Sequence, residues 1–163
     1  MKKLEKKIID RAKAEEVSRE MRVAGRTLVF TNGCFDLIHP GHVDILIRAR
    51  MLGNALMVGL NTDDSIRRLK GPSRPILDEH SRALMLAALE VVNWVVMFDE
   101  DTPAELIKAV KPMILVKGED YKAEDVVGKE IVEEYGGRVE IIPFSKHYST
   151  SSLLEKIRVE KSR

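Results

Sequence analysis

At 163 residues, with 44% apolar and 33% charged residues, the chain can close one hydrophobic core, which excludes a disordered or low-complexity protein. A formal net charge of +1 gives no electrostatic footprint for nucleic acid, and the single cysteine, Cys34, excludes an intramolecular disulfide and a multi-cysteine zinc cluster. No apolar run approaches membrane-spanning length and the start lacks a signal-peptide core, so a soluble chain in a reducing cytoplasm is expected, with no membrane partner.

Residues 1–24 read as an amphipathic helix, with Leu4, Ile8 and Ile9 near one face, expected to pack on the domain or on a second subunit. Residues 25–163 read as a single domain. Its first apolar run, 27–30 (TLVF), has strand length and branched residues, and the helix-period segment 42–53 follows, with Gly53 as its stop. The run 55–60 (ALMVGL) is a second strand, and 61–78 is one long polar connection. Helix 79–92 leads to a strand over 94–98 (WVVMF). Around 103–111 Thr102 can cap, Pro103 suits the first helical position and Glu105 completes a capping box. A strand at 113–116 (MILV), a helix at 124–137 and a strand at 139–144 (VEIIPF) end the series. Strands alternating with helical crossovers predict one Rossmann-like, doubly wound α/β domain with a five-stranded, mostly parallel sheet.

In such sheets the ligand crevice opens at the carboxyl ends of the strands. The stretch 33–42 (GCFDLIHPGH) lies there, between the first strand and the first helix, so the unpaired N–H groups of that helix sit beside His39 and His42. A catalytic zinc needs a third protein ligand, and neither the HExxH pattern nor the spacing of His80 and His147 supplies one; no metal ligands are assigned. An isolated histidine pair is ordinarily just a helix start. Here Gly33 loosens the preceding turn and Gly41 lets a ligand approach the backbone, which favours a phosphate site.

The segment 33–42 resembles the HxGH signature of the nucleotidyltransferase superfamily, in its cytidylyltransferase-like branch. The resemblance continues through 60–76, 93–103, 115–121 and 148–157, and within the branch it is to the stand-alone adenylyltransferases acting on D-glycero-β-D-manno-heptose 1-phosphate. It implies attack of the sugar phosphate on the α-phosphorus of ATP, the co-substrate, with Mg²⁺ bound to the triphosphate, to give ADP-heptose for lipopolysaccharide core synthesis. It also implies a homo-oligomer, a dimer or larger.

Residue by residue, the resemblance implies catalytic roles for His39, His42 and Lys70 in stabilising phosphate charge. It implies nucleotide contacts from Asn32, Gly33, Cys34, Phe35, Asp36, Gly41, Lys117, Gly118, Ser149, Thr150 and Ser151, and sugar-phosphate contacts from Asn61, Asp63, Arg74 and Arg82. Each has a plainer reading: Lys70 as a surface lysine, Asp36 as a turn ligand, Arg82 as a partner of a surface carboxylate, 149–151 as helix caps. Arg67 and Arg68 are weaker phosphate candidates, Trp94 reads as core or as a sugar platform, and Asp99, Glu100 and Asp101 read as a solvated turn. Lys146 and His147 stand where glycerol phosphate and choline phosphate cytidylyltransferases usually carry arginine, favouring ATP over CTP. The alternatives are a cytidylyltransferase for glycerol 3-phosphate or a related alcohol phosphate, a nucleotide-binding regulatory module without turnover, and an interaction protein working through its N-terminal helix.

Overall fold

The computed structural model of the chain describes residues 1–143. Its elements are α1 (Lys2–Glu5), β1 (Ile8–Ile9), α2 (Arg11–Val23), β2 (Leu28–Gly33), α3 (Pro40–Met51), β3 (Ala55–Asn61), α4 (Asp63–Lys70), α5 (Glu79–Ala88), β4 (Trp94–Phe98), α6 (Ala104–Val110), β5 (Ile114–Gly118), a 3₁₀ turn (Ala123–Asp125), α7 (Lys129–Glu134) and β6 (Arg138–Ile142). The sheet is parallel throughout, in the order β1-β4-β3-β2-β5-β6. From β2 the chain winds outward through β3 to β4, then α6 carries it across to β5 on the other flank of β2. That reversal puts the crevice at the carboxyl ends of β2 and β5.

Alternation along each strand divides the core into two layers. Val29, Leu56, Val58 and Val95 face a layer with Leu46 and Ala49 of α3 and Ala83 and Leu86 of α5. Leu28, Phe30, Met57 and Val96 face the opposite layer, with Met21 of α2, Leu106 and Val110 of α6 and Val132 of α7. Both faces are covered, which is why the strands read as continuous apolar runs; each fully buried Leu or Phe contributes about 2 kcal/mol by removal from water. Gly53 has a packing role beyond stopping α3: a Cβ there would stand 2.7 Å from Val29 Cγ2 and 2.8 Å from the Thr27 carbonyl.

The sheet has six strands where five were expected, because the N-terminal segment is not one helix. Ile8 and Ile9 pair with Val95 and Val96 as a two-residue edge strand between α1 and α2, with Asp10 capping α2 through the Lys13 N–H. Two adjacent branched residues suit a pleated edge better than a helix interior. The connection 61–78 also contains a helix. Thr62 accepts from the Ser65 N–H to start α4, and Ser65 and Ile66 bury one face of it. Finally, the capping box at 102–105 does not form. Pro103 occupies the N-cap position with no side-chain cap bond, so Thr102 lies outside the first turn and Glu105 pairs with Lys108.

Candidate nucleotide-binding site

The end of β2 and the start of α3 bring the two histidines together. His39 is the N-cap of α3; its Nδ1 accepts from the His42 backbone N–H at 3.3 Å, which leaves the proton of a neutral His39 ring on Nε2. The two imidazoles stack with centroids 3.7 Å apart and planes 18° from parallel. Burial pushes the His42 pKa down to about 4, with the charges of His39 and Lys70 acting in the same direction and the Leu37 backbone opposing. Burial likewise lowers His39. Two stacked imidazolium ions would repel, so burial and proximity both favour neutral rings at this helix N-terminus. His42 Nδ1 is buried with no hydrogen-bond partner among the described residues.

Phe35 supports this pair from behind, its ring centroid 5.1 Å from that of His42. Its φ of +42° is left-handed, a conformation that costs of order 1 kcal/mol in a non-glycine residue and is held here by packing. Gly33 makes room: a Cβ at that position would stand 3.2 Å from the Phe35 ring. Gly41 is buried in the first turn of α3, and Lys70 ends α4 with its side chain exposed. Along α3 an open surface depression of about 520 Å³ borders His39, lined by Ile38, Pro40, Val43, Asp44 and Ile47.

Across the crevice, the carboxyl end of β5 supplies Lys117. Its Nζ donates to Asn32 Oδ1 at 2.7 Å and lies 5.0 Å from the centroid of Tyr121. Burial lowers the Lys117 pKa to about 8, against the opposing pull of Asp120 and Cys34. An anion entering here would meet a lysine whose charged form it favours. Cys34 is half-buried in the same corner, and Gly118 accepts the Tyr121 N–H at 3.1 Å. Tyr121 was not singled out from the sequence, although it lies inside the 117–121 segment (KGEDY); nothing in its spacing shows that its ring covers Lys117.

The remaining expected residues occupy a layer beneath the crevice. The Arg82 side chain is fully buried; it donates to the Leu77 carbonyl (3.0 Å), the Cys34 carbonyl (2.7 Å), the Asn61 carbonyl (2.8 Å) and Asp63 Oδ1 (2.7 Å). Asn61 is buried and its Nδ2 donates to Ser65 Oγ. The expected sugar-phosphate residues Arg82, Asn61 and Asp63 here join the ends of β2 and β3 to α4 and α5 through these hydrogen bonds. Asp36, an expected nucleotide contact, lies in the same layer. Its 2% exposed carboxylate accepts from Arg74 Nε (2.7 Å), the Ile76 N–H (2.8 Å) and the Leu77 N–H (3.0 Å).

Arg67 and Arg68 pair with Asp64 and with Asp99 and Asp101 at the surface, and Trp94 packs against the α2/α6 layer. Glu100 pairs with Arg11 at 2.5 Å, so the acidic turn is partly tied down. Ser149, Thr150 and Ser151, with Lys146 and His147, lie outside the described residues. Among the described residues no group of three or more His, Cys, Asp or Glu converges on a metal position.

A parallel sheet with a histidine pair at the N-terminus of α3 and a buried lysine at the end of β5, on the two strands that flank the switch point, is the architecture of a nucleotide-binding transferase. The cytidylyltransferase-like family model matches residues 30–158, and the chain belongs to that family of nucleotidyltransferases. The bifunctional protein HldE of Trichlorobacter lovleyi is 56% identical over 151 residues, 93% of this chain but 31% of that protein; the chain thus spans about a third of such relatives. Among solved structures, the lipopolysaccharide core biosynthesis protein from Thermoplasma volcanium GSS1 superposes with a TM-score of 0.62 at 31% identity, covering 76% of this chain and all of that one. A pantoate-beta-alanine ligase from Francisella tularensis superposes with a TM-score of 0.60 over 86% of this chain and 67% of its own; at 13% identity it shares the fold.

Proposed function

We propose that the chain transfers the adenylyl group of ATP to D-glycero-β-D-manno-heptose 1-phosphate, giving ADP-heptose and pyrophosphate for lipopolysaccharide core synthesis. The observation that carries the chemistry is the stacked His39–His42 pair at the N-terminus of α3, at the carboxyl end of β2, where the neighbouring β5 supplies Lys117. The likeness to HldE and to a lipopolysaccharide core biosynthesis protein supports the choice of acceptor.

The sugar phosphate is already anionic, so no covalent enzyme intermediate is needed. Its oxygen bonds to the α-phosphorus in line while the bond to the β-phosphate oxygen breaks, and the electron pair leaves with pyrophosphate. His39 and His42 donate hydrogen bonds to the triphosphate as charge builds on the α-phosphate and the leaving group, with Lys70 and Lys117 adding positive charge. Asn32, Gly33, Cys34, Gly41 and Gly118 shape the nucleotide cleft, and Arg74 receives the sugar phosphate. Mg²⁺ supplies further charge neutralisation when bound with ATP. Asp36 and Asp63 are engaged by arginines, which leaves phosphate oxygens and water as its natural ligands. The same reading carries a cytoplasmic homo-oligomer with no nucleic-acid or membrane partner; no described helix is long and apolar enough to cross a membrane.

Pyrophosphate release with Mg²⁺, offering ATP or CTP against the heptose 1-phosphate and glycerol 3-phosphate, tests the reading. Release confined to ATP with the heptose phosphate is expected. Turnover with CTP and glycerol 3-phosphate would replace the substrate assignment but keep the histidine chemistry.

A further inference from the structure

We infer that Asp36 is a positioning residue that builds the acceptor-phosphate subsite through Arg74, rather than a group that touches either substrate. The inference rests on the proposed transfer reaction for its acceptor, a phosphate monoester. Asp36 lies three residues before His39 in the loop between β2 and α3, and Arg74 lies in the connection after α4. The Asp36 side chain is 1% exposed and that of Arg74 13% exposed, so the pair is largely withdrawn from water.

The division of hydrogen bonds gives the pair its direction. Arg74 donates through Nε at 2.7 Å, and its two terminal nitrogens make no hydrogen bond to the described residues. The guanidinium is therefore gripped on one edge, leaving its end-on donors for a second anion, the geometry in which arginine binds phosphate bidentately. The same carboxylate accepts the Ile76 and Leu77 N–H groups, which anchors the backbone after Arg74 as well as its side chain. Arg82 fastens the base of this arrangement by joining the Leu77 and Cys34 carbonyls. A carboxylate with three partners inside the protein has little capacity left for a nucleotide hydroxyl, while an arginine whose terminal donors have no partner among the described residues suits a phosphate.

A double-mutant cycle on Asp36→Asn, Arg74→Ala and their combination tests this, using steady-state kinetics and calorimetric binding of the heptose 1-phosphate and of glycerol 3-phosphate. Asp36→Asn should raise the KM and Kd of the acceptor phosphate about tenfold with the KM of ATP nearly unchanged, and the double variant should be no weaker than Arg74→Ala alone. Additive losses, or an equal rise in the KM of ATP, would overturn the inference. Should Asp36→Asn fail to fold, Arg74→Lys decides: it keeps the charge but not the Nε grip, so it should bind the acceptor nearly as weakly as Arg74→Ala, and wild-type affinity refutes the role. Coupled losses seen only with glycerol 3-phosphate discard the heptose acceptor and retain Asp36 as the positioning group. If neither phosphate binds the wild-type chain, the subsite does not exist.

Discussion

Burial, more than any neighbouring charge, pushes the His42 pKa down to about 4. The unfolded chain binds that proton at about 6.5, so between pH 6.5 and pH 4 the unfolded state holds more protons than the folded one. Stability contributed by this group is therefore complete above pH 6.5 and declines as pH falls, by an amount on the order of 3 kcal/mol at pH 4. His42→Gln should flatten that acid limb in urea unfolding at pH 7, 6 and 5. It should also lower kcat by roughly 10²-fold through loss of phosphate stabilisation in a folded protein. Identical pH slopes in variant and parent would contradict a buried neutral imidazole. The ring's place in the motif is readable from residues 39–42 alone; its support from Phe35 is not, since Phe35 stands in a left-handed turn before α3.

Between elements, Arg82 is the tie that joins the ends of β2 and β3 to the helices beside them. The family resemblance implies a phosphate contact for this arginine and its plainer reading a carboxylate partner; its partners within the protein lie 48, 21, 19 and 5 residues away and converge only when β2, β3, α4 and α5 assemble. Replacing it with Met leaves Asp63 and three carbonyls without their donor in a nearly dry layer, a loss of about 3 kcal/mol. The denaturation midpoint should fall accordingly, and amide exchange should quicken at residues 34–39 and 61–63 before it does in β5 or α6. Uniform exchange across the sheet would show that Arg82 does not organise these loops. Thr62 and Ser65 mark the start of α4 in the sequence, but the charged surface of that helix makes the segment read as a loop until Ile66 is seen to be buried.

The whole sheet depends on its first nine residues more than a separate N-terminal helix would suggest. Ile8 and Ile9 cover the edge of β4, Leu4 and Ile8 pack on the α3/α5 layer, and Lys7 Nζ donates to the Leu89 and Val92 carbonyls at 3.2 and 2.8 Å. Removing residues 1–9 should lower the thermal midpoint and promote self-association, because it exposes an apolar strand edge. Differential scanning calorimetry with analytical sedimentation would read both; a monodisperse variant with an unchanged midpoint would make this edge strand dispensable.

What the sequence by itself determined is periodic or contiguous: parallel strands as apolar runs, helices as 3.6-residue patterns between them, and the histidine pair at a strand-to-helix junction. These are local consequences of backbone geometry and burial, and they are enough for the Rossmann-like class and for the position of the crevice. Tertiary structure alone decided which polar residues face that crevice and which lie beneath it. Lys117 meets Asn32 across 85 residues and Asp36 meets Arg74 across 38, and no periodicity encodes such pairings. The choice between solvent, substrate and internal partner for a charged side chain is set by the cost of burying it unpaired, which exists only once the fold has closed around it.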